Sequence, residues 1–392
     1  MKILYYSPHP HINMAAPSGP GTHIREVIKG FEARGHQVIR FIAGGEELQS
    51  GNSIQFKKRA WKKFIPKMAW ESLRDYSLRR TDRILQQQLE EIISKEKPDV
   101  IYERAYYLMS SGYKAAQRSG TKYCCEINAP YPEEKSEMNG KSIFHSAAVK
   151  NERNQVAASY RVVVVSTALR NYLVKKTGSD QDKIIITPNA VNPEYIMNDV
   201  GKTNEIRTKL GAEAEELVIG FVGSIFPYHG VDLLIESFAE LVDKGFQKIR
   251  LLIVGDGEIL EQLKSRCNEL GISSMTMFTG NVPHKEVYNY IAAMDITVMA
   301  RSNWYGSPVK IFEYGIMQKG IIAPDVIPVH DVMINGEDGI FVTDSQDVLT
   351  KALLSMIENP STRQSMASTF YQKVKTRHTW QAVSDQILEA MK

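Results

Sequence analysis

The residues with the most chemical content sit at Ser307-Pro308-Val309-Lys310, which opens a short apolar run that carries one carboxylate, Glu313. A Ser-Pro turn entering a helix leaves backbone amides without intrahelical partners, and such amides attract phosphate. Lys310 adds a mobile positive charge, and a carboxylate two turns in can accept hydrogen bonds from both hydroxyls of a ribose. Nucleotide binding is the chemistry these types suit, although the same residues would also serve as an ordinary helix cap with a solvent-facing Glu. Other candidates are spread along the chain. Pro17-Ser-Gly19-Pro-Gly21-Thr-His23 is a Gly-rich turn, which fits either close backbone approach to a diphosphate or a plain turn. Glu103-Arg104 and Glu126-Ile-Asn128 fall where strands should end. Charged side chains there need partners, so Arg104 pairs with Glu103 or Glu126, or these groups hydrogen-bond a sugar or an acceptor. Asp180-Gln-Asp182 lies in a polar loop and His9-Pro-His11 has no third ligand nearby. No bound metal is expected.

Apolar runs alternate with segments of helical period, the sign of parallel α/β layers. In the first half, strands are expected at Lys2–Ser7, Gln37–Ala43, Val100–Tyr102, Lys122–Ile127, Val162–Ser166 and Ile184–Pro188. Helices are expected from about Thr22 to Arg34 and from Asp82 to Lys97. The pattern begins again at Leu217–Val222, Arg250–Val254, Met275–Phe278, Ile296–Met299, Ile321–Ala323 and Ile340–Val342, with a helix at Val309–Gln318. Two doubly wound, Rossmann-like domains facing a cleft follow: residues 1–195, completed by a C-terminal helix near 377–392, and residues 196–376. Turn formers cluster at the join, Asn189-Ala-Val-Asn-Pro193. Open α/β sheets bind ligands beyond the carboxyl ends of their strands, which is where the candidate residues fall.

The Ser-Pro-x-Lys-x-Phe-Glu-Tyr segment resembles the donor-binding signature of one branch of the family-4 retaining glycosyltransferases, and the resemblance extends over nearly the whole chain. Gly35-His36-Gln-Val38, Ile186-Thr-Pro188-Asn189-Ala-Val191, Gly220-Phe-Val-Gly223-Ser224, Tyr228-His229-Gly230-Val-Asp232 and Leu252-Ile-Val-Gly255-Asp-Gly257 carry it. It implies a GT-B fold, a nucleoside-diphosphate sugar as donor (UDP favoured by family frequency), a hydroxyl acceptor, retention of anomeric configuration, and neither metal nor cofactor. Carried over to this chain, it assigns Lys310, Glu313, Asn128 and Glu126 to catalysis. Gly19, Gly21, Gly223, Ser224, His229, Val282, Arg301, Ser307, Pro308 and Val309 are assigned to the donor, with backbone atoms around Val282 holding the base. The chain departs from the family at several points. Relatives carry an Arg near Ser224 and a Lys near His229 to clamp the diphosphate, and this chain has neither. Lys310 and Arg301 are the nearest replacements, with His229 as a hydrogen-bond donor. Tyr305 stands in place of the first of two paired glutamates, Asn128 in place of a common His, and Ala190 in place of a linker Gly.

At 392 residues, 43% hydrophobic and 24% charged, the chain has the composition of a soluble protein with two or three domains. Three cysteines without metal or redox spacing suit a reducing, cytoplasmic setting, and Met1–Ser7 reads as a strand, with no signal pattern. Net charge is +3, yet between Gly51 and Arg83 ten Lys and Arg face three Asp and Glu, interleaved with Phe56, Trp61, Phe64, Met68 and Trp70. That stretch fits peripheral contact with an anionic membrane or a solvated helical hairpin. Nucleic acid is not an expected partner, because the charge is local and no recognition motif accompanies it. A non-catalytic nucleotide-sugar-binding scaffold and a GT-B sugar epimerase are the rival readings.

Overall fold

The computed structural model describes residues 1–16, 18–47, 66–196 and 199–392. Pro17 of the Gly-rich turn and the part of the basic stretch from Gly51 to Ile65 lie outside the described residues. The chain divides into two units, Met1–Thr187 with Val383–Lys392, and Pro188–Ala382.

The first unit is built on six strands, β1 (Lys2–Ser7), β2 (Gln37–Ile42), β3 (Val100–Arg104), β4 (Lys122–Ile127), β5 (Arg161–Val164) and β6 (Ile184–Ile186). They form one parallel sheet in the order β2-β1-β3-β4-β5-β6. The second unit has β7 (Leu217–Val222), β8 (Ile249–Val254), β9 (Thr276–Phe278), β10 (Ile296–Val298), β11 (Gly320–Pro324) and β12 (Ile340–Val342). Its sheet is also parallel, in the order β12-β11-β10-β7-β8-β9. Helices between the strands bury both sheet faces, so the central strands read as near-continuous Val, Ile and Leu runs rather than alternating ones. Both units are Rossmann-like, as the repeated strand pattern implies. The strand order reverses between β1 and β3 in one unit and between β7 and β10 in the other, and ligands of such sheets bind beside that point.

The register explains a pairing that the sequence left open. Arg104 lies opposite Glu126 across β3 and β4, whereas Glu103 lies opposite Cys125. Successive strand residues point to opposite faces, so Glu103 and Arg104 cannot pair with each other. The helix expected from Asp82 begins fifteen residues earlier and runs Lys67–Glu96. Its first half hides from a search for apolar periodicity because its buried positions there include Glu71, Asp75 and Asp82. The last helix, Trp380–Met391, belongs to the first unit from Val383 onward, where Asp385 accepts two hydrogen bonds from Arg34 at 2.5 Å. All three cysteines are free and buried. No helix among the described residues is long and apolar enough to cross a membrane.

Candidate functional site

In the second unit the candidates converge beyond β7. Val222 donates its amide to the Tyr314 hydroxyl at 2.9 Å, which docks the helix Val309–Ile316 under the strand end. Gly223 then adopts φ 141°, and a Cβ there would sit 2.0 Å from Lys310 Cε. A residue with a side chain would be strained and would displace the lysine, so Gly223 makes the space that Lys310 fills. The Lys310 ammonium reaches 3.2 Å from His229 Nε2 and lies 5.2 Å from the centre of the Phe221 ring. His229 Nδ1 is 2.5 Å from the Ser224 carbonyl. A carbonyl only accepts, so Nδ1 carries the proton and Nε2 presents a lone pair to the ammonium. Burial and then the neighbouring Lys310 push the His229 imidazole down to about 4, which keeps it neutral. Burial pushes the Lys310 ammonium down to about 8, with Glu313 partly opposing it.

Glu313 lies three residues further along the same helix and is buried. Its charge, after burial, contributes to raising the hydroxyl of the buried Tyr288. Ser307 is knitted to the start of this unit: its hydroxyl accepts from the Asn189 amide at 2.9 Å and its carbonyl accepts from Asn189 Nδ2 at 2.7 Å. Pro308 takes the cap position without a side-chain bond, and Val309 is the first helical residue. Val282 is half-buried and packs on the apolar core between sheet and helices.

Arg301 stands close by, since a Cβ on Gly230 would lie 2.9 Å from its Cγ. Its guanidinium is held by both oxygens of Asp232 at 2.8 Å and by Asp344 at 2.6 Å. Two carboxylates compensate that cation, whereas Lys310 leans on a neutral imidazole. Lys310 is therefore the better placed of the two to meet an anion. Asn189, Asp232, Asp344 and Tyr314 complete the arrangement. Asn189, Asp232 and Tyr314 fall within the sequence motifs and Asp344 outside them, but the contacts by which all four act are tertiary and no local spacing encodes them.

In the first unit the candidates gather beyond β4. Glu126 Oε1 accepts from Arg104 and from Asn128 Nδ2 at 2.5 Å, with His23 Nε2 2.8 Å away, and Oε2 accepts from the Tyr102 hydroxyl at 2.6 Å. Burial alone would raise this carboxyl, but His23 and Arg104 hold it well below the usual carboxylate range. Glu126 is thus a permanent anion saturated by its own neighbours. Glu103, on the other face, accepts from Tyr123 at 2.5 Å and is pushed up by burial to about 8. Ser18 caps the helix Gly19–Ala33 by accepting from the Gly21 amide at 3.2 Å. A Cβ on Gly21 would lie 2.6 Å from the Ala16 carbonyl oxygen and 2.8 Å from that of Asn13, so this glycine serves the packing of its own loop. A Cβ on Gly19 would meet nothing. His9 packs against Tyr106 with ring centres 3.8 Å apart and the ring planes tilted by 44°. Among the described residues no group of three His, Cys, Asp or Glu side chains is arranged to hold a metal ion.

Two family models match the chain, Glycosyltransferase Family 4 over residues 17–195 and Glycosyl transferases group 1 over residues 202–373. An uncharacterized glycosyltransferase of Methanocaldococcus jannaschii is 26% identical over 220 residues, covering 56% of this chain and 55% of the relative. D-inositol 3-phosphate glycosyltransferase of Rhodococcus jostii is 28% identical over 249 residues, covering 61% of this chain and 54% of the relative. The chain thus spans about half the length of these curated relatives. Among solved structures, Anabaena HepE in complex with UDP has a TM-score of 0.73 at 17% identity, covering 100% of this chain and 99% of that one. The same Anabaena protein has also been solved with UDP-glucose. Two glycosyltransferase domain models thus match successive parts of the sequence, a family 4 domain followed by a group 1 domain, and the two-unit α/β architecture is that of the GT-B fold.

Proposed function

We propose that this protein is a retaining glycosyltransferase that moves a sugar from a nucleoside diphosphate, UDP by preference, to a hydroxyl of an acceptor. The observation that carries this reading is the Lys310 ammonium, braced by neutral His229 in the space left by Gly223, at the switch point of a Rossmann-like sheet. UDP and UDP-glucose in the Anabaena relative support the choice of donor.

In the reaction the bond between the anomeric carbon and the β-phosphate oxygen breaks, and the acceptor oxygen bonds that carbon on the same face. The acceptor proton passes to the departing phosphate, so UDP and a glycoside result and no protein nucleophile is consumed. Charge accumulates on the leaving diphosphate. Lys310 stabilises it, in place of the basic pair that relatives carry, and a preorganised donor of this kind is worth about 100-fold in turnover. Glu313 accepts hydrogen bonds from the ribose, Ser307 to Val309 shape the turn against the nucleotide, and backbone near Val282 holds the base. In the first unit, Glu126 orients Arg104 and Asn128 toward the acceptor side. Such groups act by fixing geometry and charge. A cytoplasmic, metal-independent enzyme is consistent with this scheme.

Incubating the purified chain with UDP-sugars and a panel of hydroxyl acceptors tests it. Release of UDP with a glycosylated product, unaffected by EDTA, supports the proposal. An epimerised donor, or binding with neither transfer nor hydrolysis, would replace it with an epimerase or a scaffold. EDTA inhibition reversed by magnesium or manganese would overturn the metal-independent part.

A further inference from the structure

The helix Lys67–Glu96 has its polarity inverted along its first half. At 100° per residue, Glu71, Asp75, Leu78, Asp82 and Leu85 fall on one side and Leu73, Tyr76, Arg80 and Ile84 on the opposite side. The acidic side is the one turned inward: Glu71, Asp75 and Asp82 are buried. Each of these carboxylates is tied to the body of the first unit. Asp82 accepts from the amides of Ser110 and Ser111 at 3.0 and 2.9 Å and from the Ser110 hydroxyl at 2.6 Å. Asp75 accepts from the Tyr107 hydroxyl at 2.9 Å and from Ser142, and Glu71 pairs with Lys135 and with Arg74.

The outward side carries what a soluble helix normally hides. Leu73 is 59% exposed, Tyr76 62% and Ile84 51%. Every exposed charge from Lys67 to Arg83 is positive, and Arg80 and Arg83 lie on or beside the apolar stripe. Exposed Ile143 is brought next to the helix by its amide bond to Ser72 Oγ at 3.2 Å. Since all three acids of the segment are spent internally, nothing on this face repels an anion, and the stripe spans about 16 Å.

We propose that this face docks on an anionic lipid bilayer. Arginine heads meet lipid phosphates while Leu73, Tyr76 and Ile84 enter the boundary between headgroups and acyl chains. Charge complementarity selects an anionic surface, and large aliphatic and aromatic groups alternating with the arginines select lipid over a purely acidic polymer. Because the buried carboxylates clamp the helix to the unit, the stripe is presented already ordered.

The test is co-sedimentation of the full chain with phosphatidylcholine vesicles and with vesicles containing one-third phosphatidylglycerol, at low and high salt. Wild type should bind only the anionic vesicles, and binding should fall steeply with salt. Arg80→Gln/Arg83→Gln and, separately, Leu73→Ser/Ile84→Ser should each lower bound protein at least tenfold while leaving the melting temperature unchanged. Wild type that ignores anionic vesicles at low salt, or variants that bind as wild type does, would overturn the proposal. So would a concentration-dependent dimer abolished by Leu73→Ser/Ile84→Ser, because the face would then bind a second copy of the chain.

Discussion

Lys310 makes the proposed donor site testable by proton counting. Burial holds its ammonium at about 8 in the free protein, against an ordinary lysine near 10.4. A diphosphate placed beside it favours the charged form, so binding must raise that value and draw a proton from solvent whenever the free lysine is partly neutral. At pH 9 roughly nine-tenths of the lysine is neutral, so UDP binding should take up about 0.9 proton. Restoring the ordinary value corresponds to about 3 kcal/mol of coupling between ligand and proton. The sign follows directly. Affinity is full below pH 8 and falls as pH rises above it, by about tenfold at pH 9. Titration calorimetry at pH 9 in two buffers of different ionisation enthalpy reads the uptake. Lys310→Ala should lose both affinity and uptake, whereas Lys310→Arg, which does not titrate in this range, should bind with no uptake. Wild-type heats that do not depend on the buffer, or an alanine variant that keeps the uptake, would refute the placement of the diphosphate at Lys310.

Other outcomes follow from the same geometry. Glu313→Ala should weaken UDP binding by about 1.5–3 kcal/mol, the scale of a charge-assisted hydrogen bond, as read by calorimetry on the folded variant. Glu126→Ala should destabilise the protein by about 3–5 kcal/mol in urea melts, because Arg104 is left buried without its anion. The depressed carboxyl of Glu126 also contributes stability that is present above its unfolded value near 4.3 and lost as pH falls toward its folded one. Acid titration should therefore show wild type losing stability below pH 4 more steeply than Glu126→Gln. Gly255→Ala should cost about 2–4 kcal/mol, since φ is +134° and the new Cβ would lie 1.9 Å from the Gly223 carbonyl oxygen. A variant melting within one degree of wild type would contradict that strain.

Sequence by itself determined the layers. Strands such as Lys2–Ser7, Lys122–Ile127 and Leu217–Val222 were legible to the residue, because strands buried on both faces must be apolar along their length. The Ser307-Pro308 turn and the helix behind it were legible for a similar reason: capping and period are local. Pairing was decided only in three dimensions. Arg104 belongs to Glu126 because parallel register places them side by side. Arg301 is compensated because Asp232 and Asp344 meet it from distant segments, and the Lys310 ammonium rests on His229 because Gly223 leaves room. The helix Lys67–Glu96 shows the limit most clearly, since its buried carboxylates look like surface residues until Ser110, Tyr107 and Lys135 are brought against them. Periodicity reports which residues prefer to leave water, whereas a buried charge depends on a partner that only the folded chain supplies.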